Sequence, residues 1–440
     1  MSPNTGSLAR LYARAPRGAR THDLEPMIAA CRREGDPQDA FEVVHVAGTN
    51  GKGSVAATAS SILGAARITV GLYASPHLER FYERIQINGV AVDAGTADRW
   101  LTYVLDQHPA LTFFEATTLT AFLIFREAEV RVAVLETGLG GRLDATNVVA
   151  RTRVAVITTI AFDHTEILGN TIAAIAREKA GIVRSALPIV TGRLSAEAGD
   201  VVAARARALG AAPLWRLGQE VSHARHGASL LISLPGGVAF EVEPSLRGAH
   251  QDDNAALAVA AAWQLRVAAH AVGATVDANV VRRGVKDVRW PGRLEALLVS
   301  DGPLAGRYLL DGAHNEEGAR ALASAIRATP EAASAVLVFG AMADKAWAAM
   351  LQLLAPMFRE RIYVSPSVRS AGRRTVPPAD LRSIDADGLC ASTVREALGL
   401  ARGRAGVEGT VVVAGSLSLV GEVRSMLLGH PEWGHEHVGL

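Results

Sequence analysis

Lysine is scarce in this chain of 440 residues, in which lysine and arginine together number 45 but only four are lysines. A chain that uses arginine as its general cation is expected to keep lysine where a compact, deprotonatable amine is required. Most of these lysines lie in glycine-rich or acidic segments, where such an amine could bind phosphate or be modified. The four are Lys52, Lys179, Lys286 and Lys345.

Lys52 belongs to the segment HVAGTNGKGS, residues 45–54, between a predicted strand and a predicted helix. This context is typical of a phosphate-binding loop, where glycines let backbone N–H groups approach the phosphates. Lys52 would contact the β- and γ-phosphates, although the glycine between Lys52 and Ser54 departs from the Walker pattern; the alternative is a plain strand–turn–helix connection. The nucleotide contacts predicted here are Thr49, Asn50, Gly51, Lys52, Gly53 and Ser54.

Two further segments place acidic or imidazole side chains after predicted strands. Glu136 opens ETGLGGRLDATN, residues 136–147, and His164 follows Asp163 after the strand at 154–159. Ligands of open α/β sheets bind beyond the carboxyl ends of the strands, and Mg²⁺ prefers oxygen ligands. Together with the phosphate loop, Glu136 therefore indicates a magnesium site. His164 is the weaker signal, since a single histidine after a strand is usually structural.

Lys179 lies in REKAGI, residues 177–182, at the end of a predicted helix. One interpretation is a helix C-terminal cation that the helix dipole favours, with Gly181 as terminator. The other is a neutral amine that is modified or acts in the site.

Short β-branched runs alternate with helix-like stretches before residue 160. Their near-continuous apolar character predicts a doubly wound α/β domain with a parallel sheet covered on both faces. The segment 85–92 predicts a hairpin with a type I′ turn at Asn88-Gly89. The predicted strands are Phe41–Ala47, Ile68–Tyr73, Arg131–Glu136 and Val154–Thr159, and the helices are Ser54–Ala65, Gly95–Gln107 and Glu115–Ala128.

A second alternation after residue 293 predicts a second, smaller α/β unit. The domains are therefore expected to span residues 1–297 and 298–440. The predicted strands of the second unit are Arg307–Leu310, Ala335–Phe339, Arg361–Val364 and Thr410–Ala414.

The composition argues against several classes of function. Net charge is +1, so no strong field would recruit nucleic acid or an anionic membrane, and no apolar run reaches spanning length. Two cysteines, Cys31 and Cys390, lie far apart, which fits a reducing cytoplasm rather than a disulfide framework or a zinc site. The arginine-rich residues 1–20 lack the apolar core of a secretory signal, and we expect a solvated leader. A monomer is expected.

Taken together, these segments resemble folylpolyglutamate synthase and dihydrofolate synthase, within the Mur ligase superfamily. The resemblance covers about Val43 to Val420 and depends on many motifs in the same order. Besides the segments above they are SPHL (75–78), FYERIQING (81–89), TFFEATT (112–118), LRGAHQDDNAA (246–256), WPGR (290–293), LLDGAHN (309–315), FGAMADK (339–345) and GSLSLVGEV (415–423).

The resemblance implies an ATPase domain and a Rossmann-like domain with the active site in the cleft between them. It implies ATP and two Mg²⁺ ions, with K⁺ as a further cofactor and a carbamylated Lys179. The implied metal ligands are Ser54, Ser75, Glu136, His164 and Lys179. The implied ATP contacts beyond the phosphate loop are Asn254, Arg293 and Asp311, and the implied catalytic residues are Lys52, Lys179, His164 and His314.

The family chemistry is ligation of L-glutamate to dihydropteroate, to the glutamate tail of folates, or to both, through an acyl phosphate made from ATP. Residues fitting a pteroate or folate pocket are Phe114, Glu115, Asp144, Ala145 and Thr146. A bifunctional bacterial-type enzyme is favoured. The segment 21–40 lacks the LGLxR-type pattern of bacterial members, which leaves the pterin contacts from the N-terminus open.

Other functions remain as alternatives. A monofunctional folylpolyglutamate synthase fits the same motifs, whereas a peptidoglycan-precursor Mur ligase is disfavoured by the GKGS spacing, SPHL and GLGGRLDATN. A P-loop ATPase or GTPase that acts as a regulatory binding module is a further alternative. A GTPase would show an NKxD-type motif near a strand end, and none is found there. A catalytically inactive scaffold is disfavoured because Lys52, Glu136, His164 and Lys179 occur together.

Overall fold

The computed structural model describes residues 6–14, 23–271, 275–329, 334–367, 374–406 and 408–430. Over these ranges the strands form sheets of eight, three and six strands. The eight-stranded sheet with its helices is here called the N-terminal unit, and the six-stranded sheet with its helices the C-terminal unit. These are the two α/β units expected from the alternation of strand and helix patterns.

The eight-stranded sheet has the order β4-β3-β2-β5-β1-β6-β7-β8 and is parallel from β2 to β8. The β3–β4 hairpin is antiparallel, and positive φ at Asn88 (51°) and Gly89 (78°) fits the predicted type I′ turn. The strands are β1 Glu42–Ala47, β2 Val70–Tyr73, β3 Ile85–Ile87, β4 Val90–Ala91, β5 Val132–Glu136, β6 Thr152–Ile157, β7 Ile189–Thr191 and β8 Leu214–Arg216.

Helices cover both faces of this sheet, which explains why its central strands are apolar throughout. On one face α3, α9 and α10 bury residues such as Ile62, Ala256 and Val285, and on the other α4 and α5 bury Leu101 and Phe122. The helices of this unit are α1 Ser7–Tyr12, α2 Glu25–Arg33, α3 Lys52–Ala65, α4 Ala94–Gln107, α5 Phe113–Glu127, α6 Thr165–Leu168, α7 Ile172–Lys179, α8 Ala196–Ala208, α9 Ala249–Ala271 and α10 Ala278–Asp287.

The expectation of a solvated leader is wrong for residues 7–12. They form α1, whose Leu8 and Leu11 are 3% and 0% exposed and belong to the same core as α4 and α5. Helix α1 is so short that its two leucines do not form a recognisable period in this arginine-rich part of the sequence. Residues 1–5 and 15–22, which include the rest of the predicted leader, lie outside the described residues.

A separate three-stranded antiparallel sheet, β9 Ser222–His226, β10 Ser229–Leu234 and β11 Val238–Val242, was not predicted. Its inner face packs Leu230, Ile232 and Phe240 against the core of α3 and α9. The alternation in β10 of buried and more exposed residues is typical of a sheet with one covered face.

The six-stranded sheet has the order β12-β13-β17-β14-β15-β16, with β12 antiparallel at its edge. Strand β12 spans the predicted domain boundary at residues 297/298, which stays a prediction. The strands are β12 Glu295–Val299, β13 Gly306–Leu310, β14 Val336–Phe339, β15 Glu360–Tyr363, β16 Leu389–Cys390 and β17 Thr410–Ala414. The helices are α11 Glu316–Arg327, α12 Trp347–Leu354, α13 Pro378–Ile384, α14 Val394–Ala405 and α15 Leu417–Leu427.

In the described part of the chain, no helix combines the length and apolar character needed to cross a bilayer.

Candidate active site

The central strands β5, β1 and β6 are neighbours, so the segments that follow them meet at one edge of the sheet. A cavity of about 370 Å³ lies there, closed on its other side by residues of the C-terminal unit. Ligands of open α/β sheets occupy this position, because the strand ends and helix N-termini leave polar groups facing a crevice. The cavity is the candidate active site.

The phosphate loop forms one wall of this cavity. Gly48 (φ 153°) and Gly51 (φ 82°) take conformations that L side chains rarely adopt, and a Cβ on Gly48 would lie 1.9 Å from Thr158 Oγ1. The N-terminus of α3 begins at Lys52, where the first backbone N–H groups have no partner within the helix. The Lys52 ammonium donates to the Thr49 carbonyl at 3.1 Å. Backbone donors and a cation thus face the same space.

Glu136 ends β5 and lines the cavity at 4% exposure. Its carboxylate accepts the backbone N–H of Ser75 at 3.0 Å. Burial raises the pKa of the Glu136 carboxyl, and Lys52 only partly opposes this effect. A further cation at the carboxylate would therefore stabilise its ionised form.

Lys179 ends α7, as the helix pattern predicted, but its side chain is buried rather than solvated. The Nζ atom donates a hydrogen bond to the carbonyl of Gly48 at 2.6 Å, so this lysine helps to fix the backbone of the phosphate loop. Burial, reinforced by the charge of Lys52, lowers the pKa of the Lys179 ammonium to about 7. Near neutral pH a large fraction of this amine is therefore unprotonated and nucleophilic.

Asp163 and His164, after β6, meet Lys345 from the C-terminal unit. Lys345 Nζ lies 2.8 Å from Asp163 Oδ1 and 3.3 Å from His164 Nε2. Burial acts to raise the pKa of Asp163, but Lys345 and His164 outweigh it and lower that pKa to about 2. Lys345, which lies in the FGAMADK motif, thus joins the C-terminal unit to the N-terminal unit.

The C-terminal unit contributes Arg293, Asp311 and His314 to the cavity. Asp311 is buried and accepts the backbone N–H groups of Leu294 at 2.9 Å and Ala313 at 3.0 Å. His314 Nδ1 bonds the Gly312 carbonyl at 2.9 Å, which makes Nδ1 the donor and leaves the lone pair on Nε2. Burial lowers the pKa of His314 to about 4, so this imidazole is neutral.

Most of the site residues predicted from the sequence come together in this cavity. The members that line it are Thr49, Asn50, Gly51, Lys52, Gly53, Ser54, Ser75, Glu136, His164, Lys179, Asn254, Arg293, Asp311 and His314. Asn254 also contacts the loop, since a Cβ on Gly51 would lie 2.4 Å from its Oδ1. Lys286 lies at the surface instead, where it pairs with Glu243 and has a side chain 63% exposed.

The predicted substrate residues lie outside the lining of the cavity. Phe114 lies directly behind the lining residue Gly138, because a Cβ there would come within 2.4 Å of the Phe114 ring. Glu115 accepts the Thr112 backbone N–H at 2.8 Å in a capping box that begins α5. Ala145 is fully buried. Their contact with a substrate stays a prediction.

Asp144 and Thr146 belong to a buried network behind the cavity. The Asp144 carboxylate accepts the Thr146 hydroxyl at 2.7 Å and the Leu139 backbone N–H at 2.9 Å. Thr146 Oγ1 in turn lies 2.8 Å from Nε2 of His45 in β1. These contacts hold the 138–141 loop, which lines the cavity, so both residues have a structural role whatever else they contact.

Sequence reasoning did not single out Asn315 and Glu317, whose side chains meet the phosphate loop from the C-terminal unit. Asn315 lies inside the quoted motif LLDGAHN, which was the available signal. No local pattern connects Glu317 to a loop more than 260 positions earlier.

Two family models match the chain. The Mur ligase middle domain matches residues 46–262, and the Mur ligase glutamate ligase domain matches residues 292–417. Among curated relatives, the folylpolyglutamate synthase of Lacticaseibacillus casei is 34% identical over 94% of this chain and 96% of its own. The dihydrofolate synthase/folylpolyglutamate synthase of Escherichia coli (strain K12) is 36% identical over 92% of this chain and 91% of its own.

Solved structures agree with these sequence matches. E. coli FolC in complex with DHPP and ADP superposes with a TM-score of 0.83 at 32% identity, covering 97% of this chain and 99% of that one. Mycobacterium tuberculosis folylpolyglutamate synthase complexed with ADP and AMPPCP gives 0.81 at 30% identity, covering 92% and 95%.

Proposed function

Because this chain belongs to the folylpolyglutamate synthase and dihydrofolate synthase family of Mur ligases, we propose that its cleft joins L-glutamate to dihydropteroate and to the glutamate tail of folates. It is an ATP-dependent ligase that forms an amide bond. The E. coli relative, matched over most of both chains, carries both activities in its name, which supports a bifunctional enzyme.

One observation carries the proposal. A single cavity combines the phosphate loop and Glu136 of the N-terminal unit with Arg293 and His314 of the C-terminal unit. A ligase of this kind needs ATP, a carboxylate and an amine in one enclosed space, since a carboxylate becomes electrophilic only after phosphorylation. Each substrate can reach the others only where both units face the same cavity.

The chain's own residues account for the steps. Lys52 and the N-terminus of α3 bind the phosphates of ATP, and the substrate carboxylate takes the γ-phosphoryl group to give an acyl phosphate and ADP. The L-glutamate amine, after losing its proton, attacks the acyl carbon, and phosphate leaves to form the amide. Arg293 stabilises the developing negative charge, and contact between the units excludes water that would hydrolyse the acyl phosphate.

Magnesium fits the residues present. Glu136 offers a buried carboxylate whose pKa is raised by burial and which lines the cavity beside the phosphate loop. The described residues contain no cluster of three or more histidine, cysteine or acidic ligands, and Mg²⁺ commonly takes one or two carboxylates with phosphates and water. Glu136, with the hydroxyls of Ser54 and Ser75, would hold one ion, and bound Mg²⁺ would neutralise charge on the phosphates.

A carbamate on Lys179 would supply an anion for a second ion, with His164 as a further ligand. The lowered pKa of about 7 supports this modification, because CO₂ reacts with the neutral amine. His164 Nε2 faces Lys345 in this structure, so binding of a metal there requires Lys345 to move. The described residues do not suggest a particular site for the expected K⁺ ion. The cytoplasmic location and the monomeric state of the protein also stay predictions.

The test is ATP-dependent incorporation of labelled L-glutamate with dihydropteroate or tetrahydrofolate as acceptor. We expect labelled product with both acceptors. Product with tetrahydrofolate alone would identify a monofunctional folylpolyglutamate synthase. Product only with a UDP-muramyl acceptor would overturn the substrate assignment.

A further inference from the structure

Asn50, in the middle of the phosphate loop, bonds the C-terminal unit through its whole side chain. Its Nδ2 group donates to Asn315 Oδ1 at 3.3 Å and to the Glu317 carboxylate, and its Oδ1 accepts Asn315 Nδ2 at 2.9 Å. The two amides thus face each other with reciprocal hydrogen bonds, and the Glu317 carboxylate accepts a hydrogen bond from the second N–H of the Asn50 amide. Both donors and the acceptor of the Asn50 amide are satisfied.

The backbone of Asn50 is engaged as well. Its N–H donates to Thr159 Oγ1 at 3.1 Å, and its carbonyl accepts the Thr158 hydroxyl at 2.6 Å. Thr159 Oγ1 lies 3.4 Å from the same Glu317 carboxylate, which closes a ring of hydrogen bonds around the loop. These partners hold the Asn50 side chain and backbone in place beside the cavity, and a contact between Asn50 and the phosphates stays a prediction.

Asn315 connects this ring to a helix of the C-terminal unit. Its Oδ1 also accepts the backbone N–H of Gly318 at 2.9 Å, so Asn315 is the N-cap of α11 and is itself 6% exposed. The residues flanking the two partners, Thr49, Gly51 and His314, all line the cavity. If the two units moved apart, the hydrogen bonds of Asn50 with Asn315 and Glu317 would break, and the phosphate loop would lose this support at the same time.

We propose that Asn50, Asn315 and Glu317 form a latch that holds the C-terminal unit on the nucleotide-loaded phosphate loop until ligation is complete. These are positioning residues, and the inference rests on the proposed function. An acyl phosphate in an open cleft is exposed to water. Water hydrolyses it to inorganic phosphate and the original carboxylate, so that no amide is formed. The latch keeps the C-terminal unit against the phosphate loop, so that water is kept away from the acyl phosphate while the amine attacks.

The test uses the full chain with Asn315→Ser and Glu317→Ala. Serine keeps an oxygen that can cap α11 while removing the amide that meets Asn50, and alanine removes the Glu317 carboxylate that accepts the Asn50 Nδ2 hydrogen bond. Arg320→Ala is the matched control, because Arg320 lies on the exposed side of α11 and pairs with Glu316. Thermal unfolding of each variant establishes that it folds.

Two quantities are measured: the phosphate released in excess of the glutamate incorporated, and the rate of release of the fluorescent nucleotide methylanthraniloyl-ADP. We expect both to rise about fivefold in the two latch variants, the effect of losing the net stabilisation of one hydrogen bond, and to stay unchanged in the control. Wild-type values of both quantities in folded latch variants would overturn the latch. Faster nucleotide release in the latch variants, without glutamate incorporation by the wild type, would support the latch and reject the proposed acceptors.

Discussion

At the scale of single residues, burial decides what each lysine does. Lys52 and Lys179 share the cavity, and the charge of Lys52 contributes to the lowered pKa of Lys179. Lys345 is 8% exposed and joins the two units, whereas Lys286 is exposed and pairs weakly with Glu243. Scarcity of lysine in the sequence indicated the candidates, but only their surroundings distinguish a reactive amine from a surface charge.

The role of Lys52 can be tested by a substitution that keeps the charge. Lys52→Arg is expected to lower kcat by about a hundredfold or more, because a planar guanidinium cannot occupy the position of a compact ammonium against the loop. Lys286→Arg is the matched control and should keep wild-type kcat. Labelled-glutamate incorporation measures both, and normal turnover in the Lys52 variant would contradict this account of the site.

Carbamylation of Lys179 has its own signature. In ¹³C-labelled bicarbonate, the wild type should show a carbamate resonance that Lys179→Arg lacks. At constant dissolved CO₂ the signal should grow as pH rises through about 7, because the amine loses its proton there rather than in the range of an ordinary lysine. Nuclear magnetic resonance provides the measurement.

Activity gives a second check on the same lysine. The Lys179→Arg variant should be severely impaired and should recover in part when a small carboxylate is added to replace the missing anion. A fully active Lys179→Arg variant, or one with an unchanged carbamate resonance, would exclude the modification.

At the scale of elements, the start of α5 shows how one side chain can have a structural role that a motif does not reveal. The Glu115 carboxylate accepts both the backbone N–H and the hydroxyl of Thr112 at 2.8 Å. This capping box satisfies N–H groups that the first turn of a helix leaves without partners. The TFFEATT motif therefore encodes the beginning of a helix, whether or not it also contacts a substrate.

Substitutions can separate these roles. Thr112→Ala should lower the free energy of unfolding by about 1 kcal/mol, the usual cost of a lost N-cap. Glu115→Gln should stay close to the wild type in stability, because glutamine can also complete a capping box. Chemical denaturation measures both. A raised KM for folate in a stable Glu115→Gln variant would show that Glu115 also binds the substrate.

At the scale of the whole molecule, a buried ionic cluster holds the two units together on another side of the cleft. Glu79, just after the SPHL motif and 7% exposed, pairs with Arg424 of α15 and accepts His430 Nδ1 at 2.6 Å. Arg424 Nε also lies 3.0 Å from both carboxylate oxygens of Glu295 in β12. The segment that contains Ser75 is thereby tied to the C-terminal unit.

Removal of Arg424 should loosen this arrangement. Arg424→Ala leaves the Glu79 carboxylate buried with only part of its compensation, a change that costs about 3 kcal/mol in comparable pairs. We expect a larger radius of gyration in small-angle scattering and faster tryptic cleavage between the units. Arg307→Ala, which removes an exposed pair with Glu408, is the control and should change neither quantity. Identical scattering from the wild type and the Arg424 variant would argue against this cluster as an interdomain contact.

The sequence was sufficient to predict the main helices and strands and the position of the phosphate loop between β1 and α3. Strands β1, β5 and β6 and helices α3 to α5 follow from apolar periodicity, which acts between neighbouring residues. Apolar periodicity did not predict α1, whose six residues are too few to show a period, or the sheet formed by β9 to β11. The order of strands, which places Lys52, Glu136 and His164 at one edge, needed the structure.

The contacts that close the cleft were decided by tertiary structure alone. Asn50 meets Asn315 across 265 positions, and Lys345 meets Asp163 across 182. Local sequence patterns carry no information on such pairs, because the pattern around one residue does not depend on the identity of a partner that lies far away in the sequence. The sequence by itself therefore determined which groups are available for phosphate and metal chemistry. Only the packing of two separate sheets determined that these groups, with the side chains that hold them, face one cavity.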